Sequence, residues 1–421
     1  MGFRVLPSGA VTLQNIKVPA CLIGEEGDLT TTSLTIEDGK ITEGTARPVD
    51  MGGAICLPSF VDMHTHLDKG HIWGRAPNPD GTFMGALQTV GEDRKAHWTA
   101  EDVAARMDFA LRCAYAHGTK AVRTHIDSLP PQAGISFPVF REMRAKWAGK
   151  VELQGSCLVA IDRVDRSGEF AGIADIVAES GGVLGAVLYP VPDLKDRLLD
   201  FFHYAGHHRL DVDFHVDETH DTASDTLRVA ADTVLEIGWD RPVTVGHCCS
   251  ISMMEADRAA AIIDTVARAG LNVVSLPMCN LYLQDRIAGR TPRWRGITMV
   301  HEMKAAGINV SFASDNTRDP FYAYGDLDMV EVMREATRIG HLDHATTDWV
   351  KAFTVNPAHA CGFDAPSLAP GSPADLTLFK ARSWTEFFAR PQSDRIVIRD
   401  GVQIDRSLPD YSELDHLMSC P

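Results

Sequence analysis

Leu57-Pro-Ser-Phe-Val-Asp-Met-His64-Thr65-His66-Leu67-Asp68-Lys69 is the stretch around which the chain is organised. Phe60, Val61 and Met63 form a short apolar run bounded by Pro58 and Gly70, the pattern of a strand. Side chains alternate across a strand, so His64 and His66 point to one face. Two neutral imidazoles projecting together from a rigid strand end are a natural chelating pair for Zn2+ or another divalent metal. Two hydrogen-bonded polar histidines would look the same, so the pair alone leaves both readings open.

Outward from this strand the chain alternates strand and helix. Further strands are expected at 120–124, 151–161, 183–188, 212–215, 243–247, 272–276 and 309–314. A helix is expected over 100–117, capped by Thr99 with Asp102 three residues on and stopped by Gly118. Others are expected at 223–237, 254–269 and 321–339, while 73–82, rich in Pro, Gly and Asn, reads as a loop. Eight such units in series, with apolar strands suited to burial on both faces, predict an α/β fold, a (β/α)8 TIM-like barrel. An open doubly wound sheet is the second choice. Short strands at 11–16, 20–23, 34–37 and 39–43 resemble those at 374–379, 395–399 and 402–404. Each set has its own turn, Glu37-Asp-Gly-Lys40 and Arg399-Asp-Gly401. The two termini are therefore expected to meet in a small β-sandwich domain, 1–56 with 366–421, around a barrel of 57–365.

A chain of 421 residues can bury a large core, and its formal charge of −17 argues against nucleic acid or an anionic membrane as partner. No stretch approaches the roughly 20 apolar residues of a membrane helix, and Met1-Gly-Phe-Arg-Val lacks the layout of a signal peptide. The nine cysteines form no CxxC pair, the usage of reduced thiols. A cytoplasmic, homo-oligomeric protein acting on a small molecule is expected.

The working face of such a barrel collects residues from the C-terminal strand ends. Here those ends offer His64 and His66, His125 with Asp127, His215 with Asp217 and Glu218, His247, and Asp315 with Asn316. His64, His66, His215 and Asp315 make a set of three nitrogens and one oxygen. That set leaves a position for a water that the metal would acidify; singly, each is as well explained as a structural polar group or a helix cap. Glu218, beyond the strand end, suits a proton shuttle or a carboxylate at a helix N-terminus. His247 suits a donor to the attacking water or the tetrahedral centre, or a buried structural histidine. His125 is placed behind the ligands, and Asp217 either orients His215 or forms an ion pair. Lys69 and Gln284 are candidates to face the substrate. Trp73 and Phe83 in the long loop are assigned no role.

At these residues the sequence resembles the amidohydrolase superfamily, and within it the cytosine deaminase-like branch. The matching pieces are Pro58 to Lys69, Val122-Arg-Thr-His-Ile-Asp127, His215-Val-Asp-Glu218, Gly246-His247, Arg295-Gly-Ile-Thr298, Ser314-Asp-Asn-Thr-Arg-Asp-Pro-Phe-Tyr322 and Gly371-Ser-Pro-Ala-Asp-Leu376. The resemblance implies one Zn2+ or Fe2+ on His64, His66, His215 and Asp315, with Glu218 as proton shuttle and His247 polarising the water or stabilising the adduct. Three departures bear on the substrate. Arg163 is what the matching run Leu158 to Arg163 offers where cytosine deaminases carry a glutamine that pairs with the pyrimidine edge, Asn316 replaces a second aspartate, and Phe321 replaces a tryptophan. A donor-only Arg163 would favour carbonyl oxygens or negative charge, unless it forms a surface ion pair with Asp162 or Asp165.

The expected function is a metal-dependent hydrolytic deaminase of an amino-substituted N-heterocycle, whether pyrimidine, triazine, purine or pterin. Metal hydroxide would attack the amidine carbon and ammonia would leave. Hydrolysis of a cyclic amide or of an exocyclic C–N bond uses the same machinery. A non-catalytic scaffold relative would be expected to lose ligands, and all four are present.

Overall fold

The computed structural model describes residues 2–166, 168–344 and 348–418. Its centre is a ring of eight parallel strands: β1 Phe60–Thr65, β2 Thr119–Asp127, β3 Glu152–Leu158, β4 Leu184–Leu188, β5 Val212–Val216, β6 Val243–His247, β7 Asn272–Ser275 and β8 Val310–Phe312. Strands β1 to β3 form one ladder and β4 to β8 another. Bridges Ser156–Val183 and Ala160–Val187 join them on one side, and Thr65–Asp315 on the other. At that second seam Asp315 N donates to His64 O at 2.9 Å. Nearby, the Asp62 carboxylate accepts from Ser314 N at 3.0 Å and Ser314 Oγ at 2.5 Å. The ring is a closed TIM barrel, its strands buried on both faces as their continuous apolar runs require.

Helices surround the ring: α1 Phe83–His97, α2 Ala100–His117, α3 Ala133–Trp147, α4 Glu169–Glu179, α5 Leu194–His208, α6 Thr226–Ile237 and α7 Ala256–Arg268. The Thr99 hydroxyl accepts from Asp102 N at the start of α2, and Gly118 ends it at φ 104°. Helix α1 holds Gly85 and Gly91 and lacks a clean apolar stripe, so periodicity does not reveal it. Arg75 bridges Asp93 of α1 at 2.9 Å and Asp102 of α2 at 2.5 Å, and Arg106 reaches Asp102 at 2.6 Å and Gly70 O at 3.0 Å. This buried charge network pins the loop after β1 to both helices.

The two ends of the chain share one sheet. Its strands run in the order 402–403, 396–399, 376–379, 55–58, 11–19, 29–37 and 40–42, with 47–50 alongside 11–19. Val11, Leu13, Ile16, Ile36, Leu376, Leu378, Ile396 and Ile398 fill its core.

Three local expectations change. Residues 20–22 form a 3-10 turn instead of a strand, because Pro19 ends the ladder. Helix α6 starts at Thr226, where Asp217 accepts from Thr226 N at 2.9 Å and Leu227 N at 3.0 Å. The helix expected from 321 begins at Met329. Before it, Asp319 accepts from Phe321 N and Tyr322 N at 2.8 and 3.2 Å, folding that segment into a turn.

Asp328 caps the helix Met329–Gly340 and also takes both Arg395 nitrogens at 2.6 Å, tying barrel to terminal sheet. Burial alone would raise the Asp328 carboxyl, but Arg395 holds it well below the usual range. Asp328→Asn leaves a buried guanidinium unpaired and is expected to cost about 3–5 kcal/mol in chemical denaturation. Because the folded pKa is depressed, the wild-type contribution is full above about pH 4 and is lost as the pH falls below it. The variant should show a flatter acid limb.

Candidate functional site

Polar side chains meet where the closing seam reaches the barrel mouth. His64 and His66 leave β1 on the same side, His215 enters from β5, and Asp315 follows β8. Nε2 of His64 and of His215 lie 3.1 Å apart, and Nε2 of His66 lies 3.5 Å from that of His215. Asp315 Oδ1 stands 3.1 Å from His66 Nε2 and 3.6 Å from His64 Nε2.

Burial holds all three imidazoles far below their ordinary pKa, so each presents a neutral ring. Burial pushes Asp315 up to about 7, and both its oxygens are buried without a hydrogen-bond partner among the described residues. A tetrahedral Zn2+ site with bonds of about 2.0–2.1 Å has ligand–ligand edges of about 3.3 Å, and the observed spacings bracket that value. His64, His66 and Asp315 group as donors that fit one divalent cation, and His215 stands beside them with its Nε2 3.1 Å from that of His64.

Behind the cluster, His64 Nδ1 lies 3.1 Å from His125 Nε2. For His64 to offer a lone pair at Nε2, its hydrogen must sit on Nδ1 and be donated to His125. Asp213, next in line, is held by Arg123 at 2.8 Å, so His125 and its neighbours support the cluster from below.

Glu218 and His247 face the same cavity. Backbone dihedrals aim them: Asp217 has φ 51°, His247 69° and Asp315 63°, all left-handed. Such conformations persist where surrounding structure over-determines them, and they cluster at functional sites. Burial, then the Asp315 charge, raises the Glu218 carboxyl well above the usual range. Burial lowers His247 to about 3.

A cavity of about 300 Å3 opens over these groups, walled also by Lys69, Phe83, Leu158, Tyr189, Asn316 and Phe321. Lys69 is buried, with its Nζ 4.7 Å from the centroid of the Phe321 ring. Asn316 donates to Asp319 at 2.8 Å and receives the Cys279 thiol at 3.5 Å. Phe83 packs edge-on against Phe321, with centroids 5.5 Å apart.

Three expected positions turn out otherwise. Arg163 is an exposed residue paired with Glu169 at 2.6 Å and does not line the cavity. The short 3-10 turn Ile161–Arg163 directs it outward, so neither Asp162 nor Asp165 is its closest partner. Gln284 sits at the rim but spends its amide on the Glu218 carbonyl oxygen at 3.1 Å. Asp217 caps α6 and does not orient His215. Asn280, which no motif singles out, lies between Glu218 and His247. The i,i+4 spacing of Asn280 and Gln284 was the available signal.

Residues 183–405 match the model of the amidohydrolase family. A pterin deaminase of Rhizobium rhizogenes is 51% identical over 418 residues, covering 96% of this chain and 95% of that protein. An N-isopropylammelide isopropyl amidohydrolase of Pseudomonas sp. is 24% identical over 307 residues, 69% of this chain and 70% of that one. Among solved structures, a 5-methylcytosine deaminase from Klebsiella pneumoniae liganded with 5-fluorocytosine superposes with a TM-score of 0.79 at 24% identity, covering 95% and 98% of the two chains.

If the four side chains hold a metal, His215→Ala and Asp315→Ala should each lower the metal content of the purified protein, read by elemental analysis, at least about tenfold. Arg163→Gln should leave that content unchanged.

Proposed function

The chain belongs to the amidohydrolase family, and from that membership and the site geometry we propose that it is a metal-dependent pterin deaminase. It is a hydrolase acting on C–N bonds other than peptide bonds, a hydrolytic deaminase of an amino-substituted N-heterocycle. The observation that carries the narrower substrate is the 51% identity to a pterin deaminase along nearly the whole chain. The cavity agrees in chemistry, lined by aromatic side chains suited to a flat ring and by several polar groups.

His64, His66, His215 and Asp315 would hold one divalent ion, Zn2+ or Fe2+. When bound, it supplies a Lewis acid that makes water a nucleophile near neutral pH. Glu218 would take a proton from the attacking water and deliver it to the departing nitrogen, so that one water is consumed, an amino group leaves as ammonia and the ring carbon gains an oxygen. A raised carboxyl pKa suits a group that must both accept and release a proton near neutrality. His247, neutral in its buried setting, would donate from Nε2 to the attacking oxygen and orient it.

Lys69 offers donors only and would recognise a carbonyl or ring-nitrogen acceptor on the heterocycle. Asn316 carries both a donor and an acceptor and reads a mixed edge. Phe321, with Phe83 behind it, stacks on the ring. Gln284 acts through Glu218 and Arg163 takes no part. We assign the protein to the cytoplasm, as a homo-oligomer without nucleic-acid or membrane partners, in keeping with its acidic charge and with a chain in which no described helix is long and apolar enough to cross a membrane.

The test is turnover by protein loaded with Zn2+ or Fe2+ against pterin, cytosine, aminotriazines and purines, following ammonia and product mass. Pterin should be the best substrate, with NH exchanged for O in the product. A product that has gained water instead would mean ring opening, and release of an alkylamine from an N-alkyl triazine as the best reaction would favour exocyclic C–N cleavage. Glu218→Gln should lower kcat about 10^2- to 10^4-fold with metal content intact.

A further inference from the structure

We infer that Asn280 is a positioning residue whose single carboxamide sets the tautomer of His247 and the aim of Glu218 together. The inference rests on the roles proposed for those two side chains and adds the residue that couples them.

Asn280 is 1% exposed and sits in the helix Pro277–Leu283 at the foot of the cavity. Its Nδ2 donates to Glu218 Oε1 at 3.2 Å and lies 3.0 Å from His247 Nδ1. An amide NH2 carries two hydrogens and accepts none, so Nδ1 of His247 must be the acceptor. A neutral imidazole bonded that way keeps its one hydrogen on Nε2. His247 Nε2 is buried and has no partner among the described residues. The ring lies 5.1 Å, centroid to centroid, from His215 and 5.5 Å from His64, so it borders the reacting centre.

The amide orientation follows from the same network. Reversed, it would set its oxygen 3.2 Å from Glu218 Oε1 and oppose the ionised form in which Glu218 accepts its proton. One turn further along, Gln284 holds the main chain of Glu218 through its carbonyl oxygen at 3.1 Å. A single helical face therefore fixes both the backbone and the carboxylate of the shuttle, and the protonated edge of the donor. Were the His247 hydrogen on Nδ1 instead, a lone pair would face the attacking oxygen and oppose it.

The experiment compares Asn280→Ala, Asn280→Ser and Asn280→Asp in the metal-loaded protein. It follows kcat and KM on pterin, metal content, and the nitrogen spectrum of 15N-histidine-labelled protein, with His247→Gln identifying the resonances. The alanine variant should lose about 10- to 100-fold in kcat with KM within about threefold and metal content unchanged. Serine, which keeps a short donor, should fall between wild type and alanine. In the aspartate variant the new carboxylate accepts from Nδ1, so the hydrogen should move from Nε2 to Nδ1 and kcat should fall about 10^3-fold. An unchanged Nε2–H tautomer in the aspartate variant overturns the inference, as does an alanine variant with kcat within twofold of wild type. So does an activity loss matched by loss of metal, which would make the role merely structural. If wild type leaves pterin untouched, the substrate reading fails while the nitrogen spectra still decide the role of Asn280.

Discussion

Three imidazole nitrogens and a carboxylate oxygen in a buried pocket, His64 and His66 each 3.1–3.6 Å from His215 and from Asp315, are the constraint on which the rest of this structure depends. Such a cluster is costly without a cation, since its lone pairs face each other and its carboxylate is desolvated. The fold brings it about by closing the barrel between β1 and β8, the strands that carry three of the four groups. Asp315 N on His64 O, and Asp62 on Ser314, are at once the seam of the barrel and the frame of the site. A slip at this seam would open the ring and scatter the cluster together.

Around that centre, polar groups back one another in layers. His125 stands behind His64, and the Asp213–Arg123 pair stands behind His125. Arg75 and Arg106 anchor the loop after β1. Asn280 and Gln284 stand behind Glu218. Left-handed backbone at Asp217, His247 and Asp315 turns the chain at strand ends, so the side chains beyond them re-enter the mouth. Rigid support of this kind is what a site needs when angles of a few degrees decide proton transfer.

Recognition rests on fewer groups. Lys69 over Phe321 places a buried ammonium beside an aromatic wall, and Asn316 is held by Asp319 and Cys279 so that its amide has a set direction. An asparagine in place of a carboxylate removes a negative charge from an edge already shared with Asp315 and Asp319.

The sequence by itself determined the barrel, through eight apolar strands with helices between them, and the joining of the termini through matched turn-bearing strands. It also put His64, His66, His215 and Asp315 forward, because strand ends share one face by topology. Period-2 alternation and the order of elements are local facts, readable without coordinates. Partners across long separations are not. Asp217 suits either an aid to His215 or an ion pair, and the fold sets the start of α6 on it; Arg163 suits either a selector or a surface ion pair, and a short turn brings it to Glu169 on the surface. Asn280 carries no signal beyond its i,i+4 spacing to Gln284; only the tertiary fold brings one amide between two side chains, 62 and 33 residues away in the chain. Hydrogen-bond direction and left-handed backbone at single residues depend on such neighbours, and only the tertiary structure decides them.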